Sequence, residues 1–242
     1  MSEKIFFKSK IKEDLFDFIE SKSERRCINF LNLHDIYQFK KNILFRRAIT
    51  RRENLNFIDG FVISAYLSLF NLRRVPRTRG PTFTRDFLSN PELSKNKVHF
   101  FIGLEKKDLI YLKKKFPHLR NIYCYNPPYI KQYEFSKEEL AKMIKAINSH
   151  SPNFVWVCVG SPKQNILSLS LFGKTKTQYF LNVGAALDFL LDKKKEAPLI
   201  VRELGIEWLY RLITDFKYSK KKVWRSFIGL FYLLLFVRLE NE

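Results

Sequence analysis

Six short apolar runs, at 27–31, 55–58, 98–102, 121–125, 154–159 and 179–183, alternate with stretches of helical pattern, and this alternation leaves few folds open to the chain. Helices are expected near 36–48, 61–70, 106–116, 137–148, 163–171 and 185–191. Ser136 followed three residues later by Glu139 is a capping-box signature for the helix at 137–148. Strand and helix in regular alternation predict an α/β fold, with a mostly parallel, Rossmann-like sheet covered by helices on both faces. No repeat or low-complexity linker interrupts the pattern, and 242 residues can bury one sizeable core beside a small appendage.

Ligands in such sheets bind beyond the carboxyl ends of the strands. Asn32 follows the first expected strand, Asp59 and Gly60 the second, Gly103 the third and residues 126–129 the fourth. Gly160 to Gln164 follow the fifth, and Asn182 to Gly184 close the sixth. A crevice holding an aspartate, two asparagines, a glutamine, a lysine and several glycines suits a nucleotide carrying a sugar. Strand ends collect turn residues in any fold of this kind, which accounts for the glycines equally well.

The stretch FVWVCVGSPKQ, 154–164, is the most specific of these ends. An apolar run empties into a turn in which Ser161 is placed to cap the following helix and Pro162 to occupy its first position. Lys163 and Gln164 then add a cation and an amide donor beside exposed backbone amides, an anion site in outline. An ordinary strand-to-helix turn has the same composition.

Taken with VGAALDF at 183–189, Ala197 and Pro198, and GIEWLYRL at 205–212, the VGSPKQ turn resembles the WecG/TagA/CpsF glycosyltransferases, also called glycosyltransferase family 26. Asp59 with Gly60, Arg77 with Gly80, FIGLEKK from Phe101 and NPPY from Asn126 fall in that family's order, so the resemblance covers about residues 25–225. It implies transfer of a sugar, an N-acetylmannosamine-type residue or a uronic acid, from a UDP-sugar donor to a polyprenyl-diphosphate-linked acceptor in cell-surface polysaccharide synthesis. It also implies a reaction with no metal and no cofactor. The chain departs from the family pattern at Phe30, where the family has threonine, and at Thr82, Asn165, Asp192 and Glu196. A homologue of impaired activity is therefore one alternative.

Glycosyl transfer requires a base for the acceptor hydroxyl and compensation of the departing diphosphate. The resemblance makes Asp59 the base; by position alone it could equally cap the helix beginning near Phe61. No Asp-x-Asp pair is present to hold a metal, so cations and helix ends must stabilise the leaving group. Asn32, Arg77, Gly160, Lys163, Gln164, Asn182, Gly184 and Arg211 are the expected substrate-binding residues, with Arg79 competing for the role of Arg77. Arg211 follows Glu207 by four, so an intrahelical ion pair is its plainer reading. One base and no evident nucleophile predict a single displacement with inversion.

The formal charge of +20 calls for an anionic partner, either nucleic acid or a membrane face. Between 217 and 225 five residues are cationic and none acidic, and the next twelve are almost wholly apolar. Such a segment is too short to span a bilayer but can lie in its interface through Trp224, Phe227, Phe231 and Tyr232. A helix packed on the protein's own core would read the same way. The resulting expectation is a glycosyltransferase domain at 1–205 and a basic, apolar helical appendage at 206–242 that docks on an anionic membrane through 217–237. Cys27, Cys124 and Cys158 lie in or beside apolar runs, and an odd count predicts reduced thiols. With no apolar h-region near the first residues, the expected location is cytoplasmic, peripheral on the inner face of the membrane. A basic nucleic-acid-binding protein is the rival class, although most aromatics sit in core patterns.

Overall fold

The computed structural model describes residues 4–9, 12–21, 24–214 and 216–240; the side chains at 12, 13, 203, 208, 211, 212, 216–219 and 222 also lie outside the described set. The main sheet is six-stranded and parallel throughout, in the order β3-β2-β7-β6-β4-β5. Its strands are β2 (Arg26–Leu31), β3 (Asn54–Ile58), β4 (His99–Ile102), β5 (Ile122–Tyr125), β6 (Phe154–Val157) and β7 (Tyr179–Asn182). All six expected runs are strands, because parallel strands covered on both faces are mostly apolar; the polar exceptions Asn29, Asn56, His99 and Asn182 are buried and hydrogen-bonded.

Successive side chains point to opposite faces. Ile28, Phe30, Phe57, Phe101, Trp156 and Leu181 enter one core, covered by α1 (Lys12–Ser21), α5 (Gly80–Ser89), α6 (Pro91–Ser94), α7 (Lys106–Lys115) and α10 (Ala186–Leu190). Within it, the buried Trp156 indole donates to His99 Nδ1 at 3.1 Å, and His99 Nε2 lies 3.1 Å from the Ser94 carbonyl oxygen. On the other face, Phe100, Ile102, Val155, Val157 and Phe180 meet α8 (Lys137–Asn148) and α9 (Lys163–Phe172). Nearer the β3 edge, Leu31 and Ile58 meet α2 (Leu33–Lys41), α3 (Ile43–Ile49) and α4 (Phe61–Phe70).

Two local expectations change. The helix expected at 36–48 is two helices, because Asn42 leaves helical geometry (φ −126°, ψ 107°) and its side chain accepts from the amides of Leu44 and Phe45 to start α3. Gly80 and Pro81, outside every expected helix, open a further one; Pro81 suits the first turn, and Phe83 and Phe87 bury one face.

The chain continues through α11 (Leu199–Glu203) and α12 (Glu207–Thr214) to α13 (Phe216–Phe236). One face of α13 lies on α2 so closely that a Cβ on Gly229 would stand 2.2 Å from the Leu33 carbonyl oxygen. Leu233 and Val237 are buried there with Ile36 and Phe39, each contributing about 2 kcal/mol of apolar burial. Tyr232, expected to insert into a bilayer, instead packs 5.8 Å from the Phe236 ring, which lies 5.5 Å from Phe39. Trp224, Phe227, Phe231, Leu234 and Leu235 remain exposed on the other side. No helix among the described residues is long and apolar enough to cross a membrane. Beyond α13, β8 (Val237–Leu239) pairs in parallel with β1 (Ile5–Phe7), and Lys8 Nζ meets Glu240 Oε1 at 2.6 Å.

Candidate active site

Six parallel strands bring six carboxyl ends to one rim. From the edge inward, the order is Asp59 after β3, Asn32 after β2, Gly184 beyond β7, Gly160 beyond β6, Gly103 after β4 and Asn126 after β5. Asp59 extends the ladder by one bond, its amide donating to Leu31 O at 2.9 Å. The helix that follows it, α4, has Gly60 at its cap and no side-chain cap bond. Asp59 therefore caps no helix of its own: its Oδ1 accepts the Gly80 amide at 3.1 Å, at the start of α5. Oδ2 has no hydrogen-bond partner among the described residues.

Asn32 stands against Gly60, whose missing Cβ would lie 3.4 Å from the asparagine Cβ. Its side chain accepts the His34 amide at 3.0 Å, so it caps α2. Asp35 completes that capping box, accepting the Asn32 amide at 2.8 Å. The same buried carboxylate accepts a hydrogen bond from Ser161 Oγ, tying the turn after β6 to the end of β2. Ser161 is thus engaged across the rim and does not cap α9; Pro162 is the cap residue, after a cis Ser161–Pro162 peptide. Asp35 escaped the site reading of the sequence, although its spacing from Asn32 is a legible capping box.

Gly160 adopts φ +80°, and a side chain there would meet nothing within 4 Å, so the rim is open above it. Gly184 adopts φ +56° and approaches Gln164, whose Oε1 would lie 3.3 Å from an added Cβ. Gln164 is buried, donates to Asn182 O at 3.3 Å and leaves Oε1 buried without a partner. Lys163 Nζ donates to the Ile130 carbonyl and lies 4.9 Å from the Tyr129 ring centroid. Partial burial holds its ammonium below the ordinary lysine pKa.

Asn182 points into the sheet's own interior. Its Nδ2 donates to Asn29 Oδ1 at 2.7 Å and its Oδ1 accepts Ser168 Oγ at 2.6 Å. Asn29 also accepts Asn165 Nδ2 at 2.8 Å and donates to Asn54 and Asn56 at 3.0 and 2.9 Å. This buried amide ladder fixes α9, and with it Gln164, on the sheet. Asn165, at one of the positions that depart from the family pattern, is part of it.

On the β3 side, Arg77 donates to Arg202 O at 2.9 Å. Burial lowers its guanidinium pKa, Arg79 lowers it further, and Asp59 and Glu207 oppose that shift. Arg77 and Asp59 thus lie within electrostatic reach of one another. Arg79 is engaged elsewhere: Glu207 of α12 lies 2.8 Å away, Glu196 3.7 Å, and Thr82 Oγ1 accepts from it at 3.1 Å. Glu196 further meets Arg202 at 3.1 Å and Arg85 at 3.2 Å. Glu196, one of the positions that break the family pattern, therefore helps fasten the segment carrying α11 and α12, while Thr82, another, holds Arg79 locally. Arg211 falls on α12, with its side chain outside the described residues. Phe30 is buried in the core, 5.1 Å from the Phe83 ring, and backs Gly80, where an added Cβ would lie 3.3 Å from its own. Burial raises the thiol pKa of Cys27, Cys124 and Cys158, so none is a ready thiolate.

A carboxylate with one oxygen fixed, a partly buried guanidinium within electrostatic reach of it and a loop with two positive-φ glycines thus gather at the carboxyl ends of the strands. A model of the glycosyl transferase WecG/TagA/CpsF family matches residues 7–242. The chain belongs to this family. Among curated relatives, an N-acetylglucosaminyldiphosphoundecaprenol N-acetyl-beta-D-mannosaminyltransferase of Staphylococcus aureus strain MRSA252 is 33% identical over 75 residues, 31% of this chain and 30% of the relative. The protein of the same description from strain NCTC 8325 / PS 47 matches to the same extent. The matched segment spans about a third of the length of these relatives.

Proposed function

We propose that this chain is a peripheral membrane glycosyltransferase that moves an N-acetylmannosamine-type sugar from a UDP donor to a lipid-linked N-acetylglucosaminyl diphosphate. Family membership and the names of the Staphylococcus relatives support the sugar and the acceptor. The observation that carries the chemistry is the placing of Asp59: the Gly80 amide orients one oxygen, and the other has no hydrogen-bond partner among the described residues. Asp59 accepts the proton of the acceptor hydroxyl as it attacks the anomeric carbon, the bond to the UDP oxygen breaks, and the configuration inverts in one displacement. Arg77 and Lys163 compensate the departing diphosphate, and Gly160 and Gly184 leave room for it above Gln164. Arg211 is assigned to the same diphosphate, and Asn32 and Asn182 act by shaping the strand ends.

The exposed apolar face of α13, with Lys220, Lys221 and Arg225 on the same helix, supports docking on an anionic membrane at the cytoplasmic face, where the lipid-borne acceptor would be met. Two units, 1–205 and 206–242, remain the proposed division of labour between chemistry and docking. Three of the exposed aromatic side chains, Trp224, Phe227 and Phe231, share α13 with exposed leucines, an arrangement that suits a membrane interface better than stacking on nucleic-acid bases.

Asp59→Asn tests the assignment. Loss of a general base lowers turnover by about 100-fold or more. Thermal stabilisation by UDP should persist in the variant. Unchanged turnover with the lipid-linked acceptor would remove Asp59 from the mechanism.

A further inference from the structure

Away from the rim, α2, the start of α3, the loop carrying Tyr133 and helix α13 enclose a cavity of about 250 Å³. This is below the roughly 300–1,000 Å³ usual for pockets that take drug-sized ligands, a size that suits a phosphate with a small alcohol better than a nucleotide sugar. Two cations line it, Lys41 at the end of α2 and Arg225 on α13, and no carboxylate belongs to its described lining. The Arg225 guanidinium lies 5.6 Å from the Tyr37 ring centroid, which fixes its approach to the cavity. Asn42, also in the lining, is buried, and its Nδ2 has no hydrogen-bond partner. A buried donor left unpaired is costly and marks a place where an acceptor is wanted.

The surroundings identify the source of that acceptor. Ile43 and Tyr133, both lining residues, are exposed, and Trp224, next to Arg225 on α13, is 68% exposed. A free anion needs no such surface, whereas a lipid whose phosphate enters the cavity must leave its acyl chains against apolar side chains. We propose that this cavity binds the phosphate of an anionic phospholipid head group, with Lys41 and Arg225 pairing with its charge and the Asn42 amide donating to an oxygen. The inference rests on the membrane-docking reading above and adds to it a specific site. Docking then depends on two particular cations as well as on the summed charge of the chain.

The test is vesicle binding by the full chain, comparing phosphatidylglycerol-containing vesicles with pure phosphatidylcholine. The double variant Lys41→Gln/Arg225→Gln should bind phosphatidylglycerol vesicles at least tenfold more weakly. Lys113→Gln/Lys114→Gln removes the same charge from exposed positions on α7 and should lose less than threefold. Equal losses in the two double variants would overturn the site in favour of diffuse attraction. Failure of the unmodified chain to bind either vesicle would instead sink the docking reading itself. Displacement from vesicles by millimolar inorganic phosphate would show a free-anion site and also overturn the proposal. Should the double variant melt early, Lys41→Gln alone, at an exposed helix end, carries the comparison with a threefold loss expected.

Discussion

Gly229→Ala isolates the seating of α13 on α2. Two effects of opposite sign are in play. In an exposed helix interior the change from glycine to alanine stabilises by about 1 kcal/mol through backbone entropy. Here the new Cβ would stand 2.2 Å from the Leu33 carbonyl oxygen, where real contacts stay beyond 3.0 Å. That oxygen belongs to backbone in the first turn of α2, which is held by the Asn32–Asp35 capping box, so it cannot rotate aside as a side chain would. Either α13 withdraws by about 1 Å or Leu233 and Val237 lose packing, and overpacking of this kind costs about 1–3 kcal/mol. Set against the gain of about 1 kcal/mol, the net loss is about 0–2 kcal/mol, and at about 2–4 °C per kcal/mol for a chain of this size a fall of up to about 8 °C is expected by scanning calorimetry. Gly173→Ala is the control, since nothing lies within 4 Å of its Cβ position, and its midpoint should stay level or rise. A rise in the midpoint of Gly229→Ala would refute the packing of α13 against α2.

Two further changes probe the core that holds the site. Burial pushes His99 down to about 4 from an ordinary 6.5, so the unfolded chain takes up a proton below pH 6.5 that the folded chain refuses. Stability should be full above pH 6.5 and fall by about 3 kcal/mol as the pH drops to 4, and this component should vanish from urea-unfolding curves of His99→Gln; an identical pH dependence in both proteins contradicts the assignment. Asn29→Leu would strand the amides of Asn54, Asn56, Asn165 and Asn182, at about 1 kcal/mol or more apiece, and should lower unfolding free energy by roughly 4 kcal/mol. A loss below about 1 kcal/mol would mean that the ladder is not the anchor of α9.

The main sheet was legible because its central strands are buried on both faces and therefore read as largely apolar runs, each broken by no more than one or two polar residues. The three-residue β1 and β8 were not, since IFF and VRL owe their strand geometry to each other rather than to local pattern. Asp59 was placed at the rim by the strand-end rule alone, but the Gly80 amide that orients it is 21 residues away, a distance that spacing rules do not cover. Ser161 illustrates a local rule overridden: capping chemistry assigned it to α9, and a buried carboxylate on α2 claimed it instead. Arg79 and Arg77 could not be separated by position. Side-chain partners distinguish them, with Arg79 bound to Glu207 and Arg77 lying near Asp59.

The union of β1 with β8 also sets a clock on biosynthesis. Lys8 and Glu240 are 232 positions apart, so at about 5–20 residues per second β1 waits roughly 10–50 seconds for its partner to leave the ribosome. Throughout that wait the outer side of α2 lacks its cover, and the helix that will supply it is the same one whose far side is greasy. A nascent chain therefore meets a competition, self-closure against capture by the nearest bilayer or chaperone, at the moment α13 emerges.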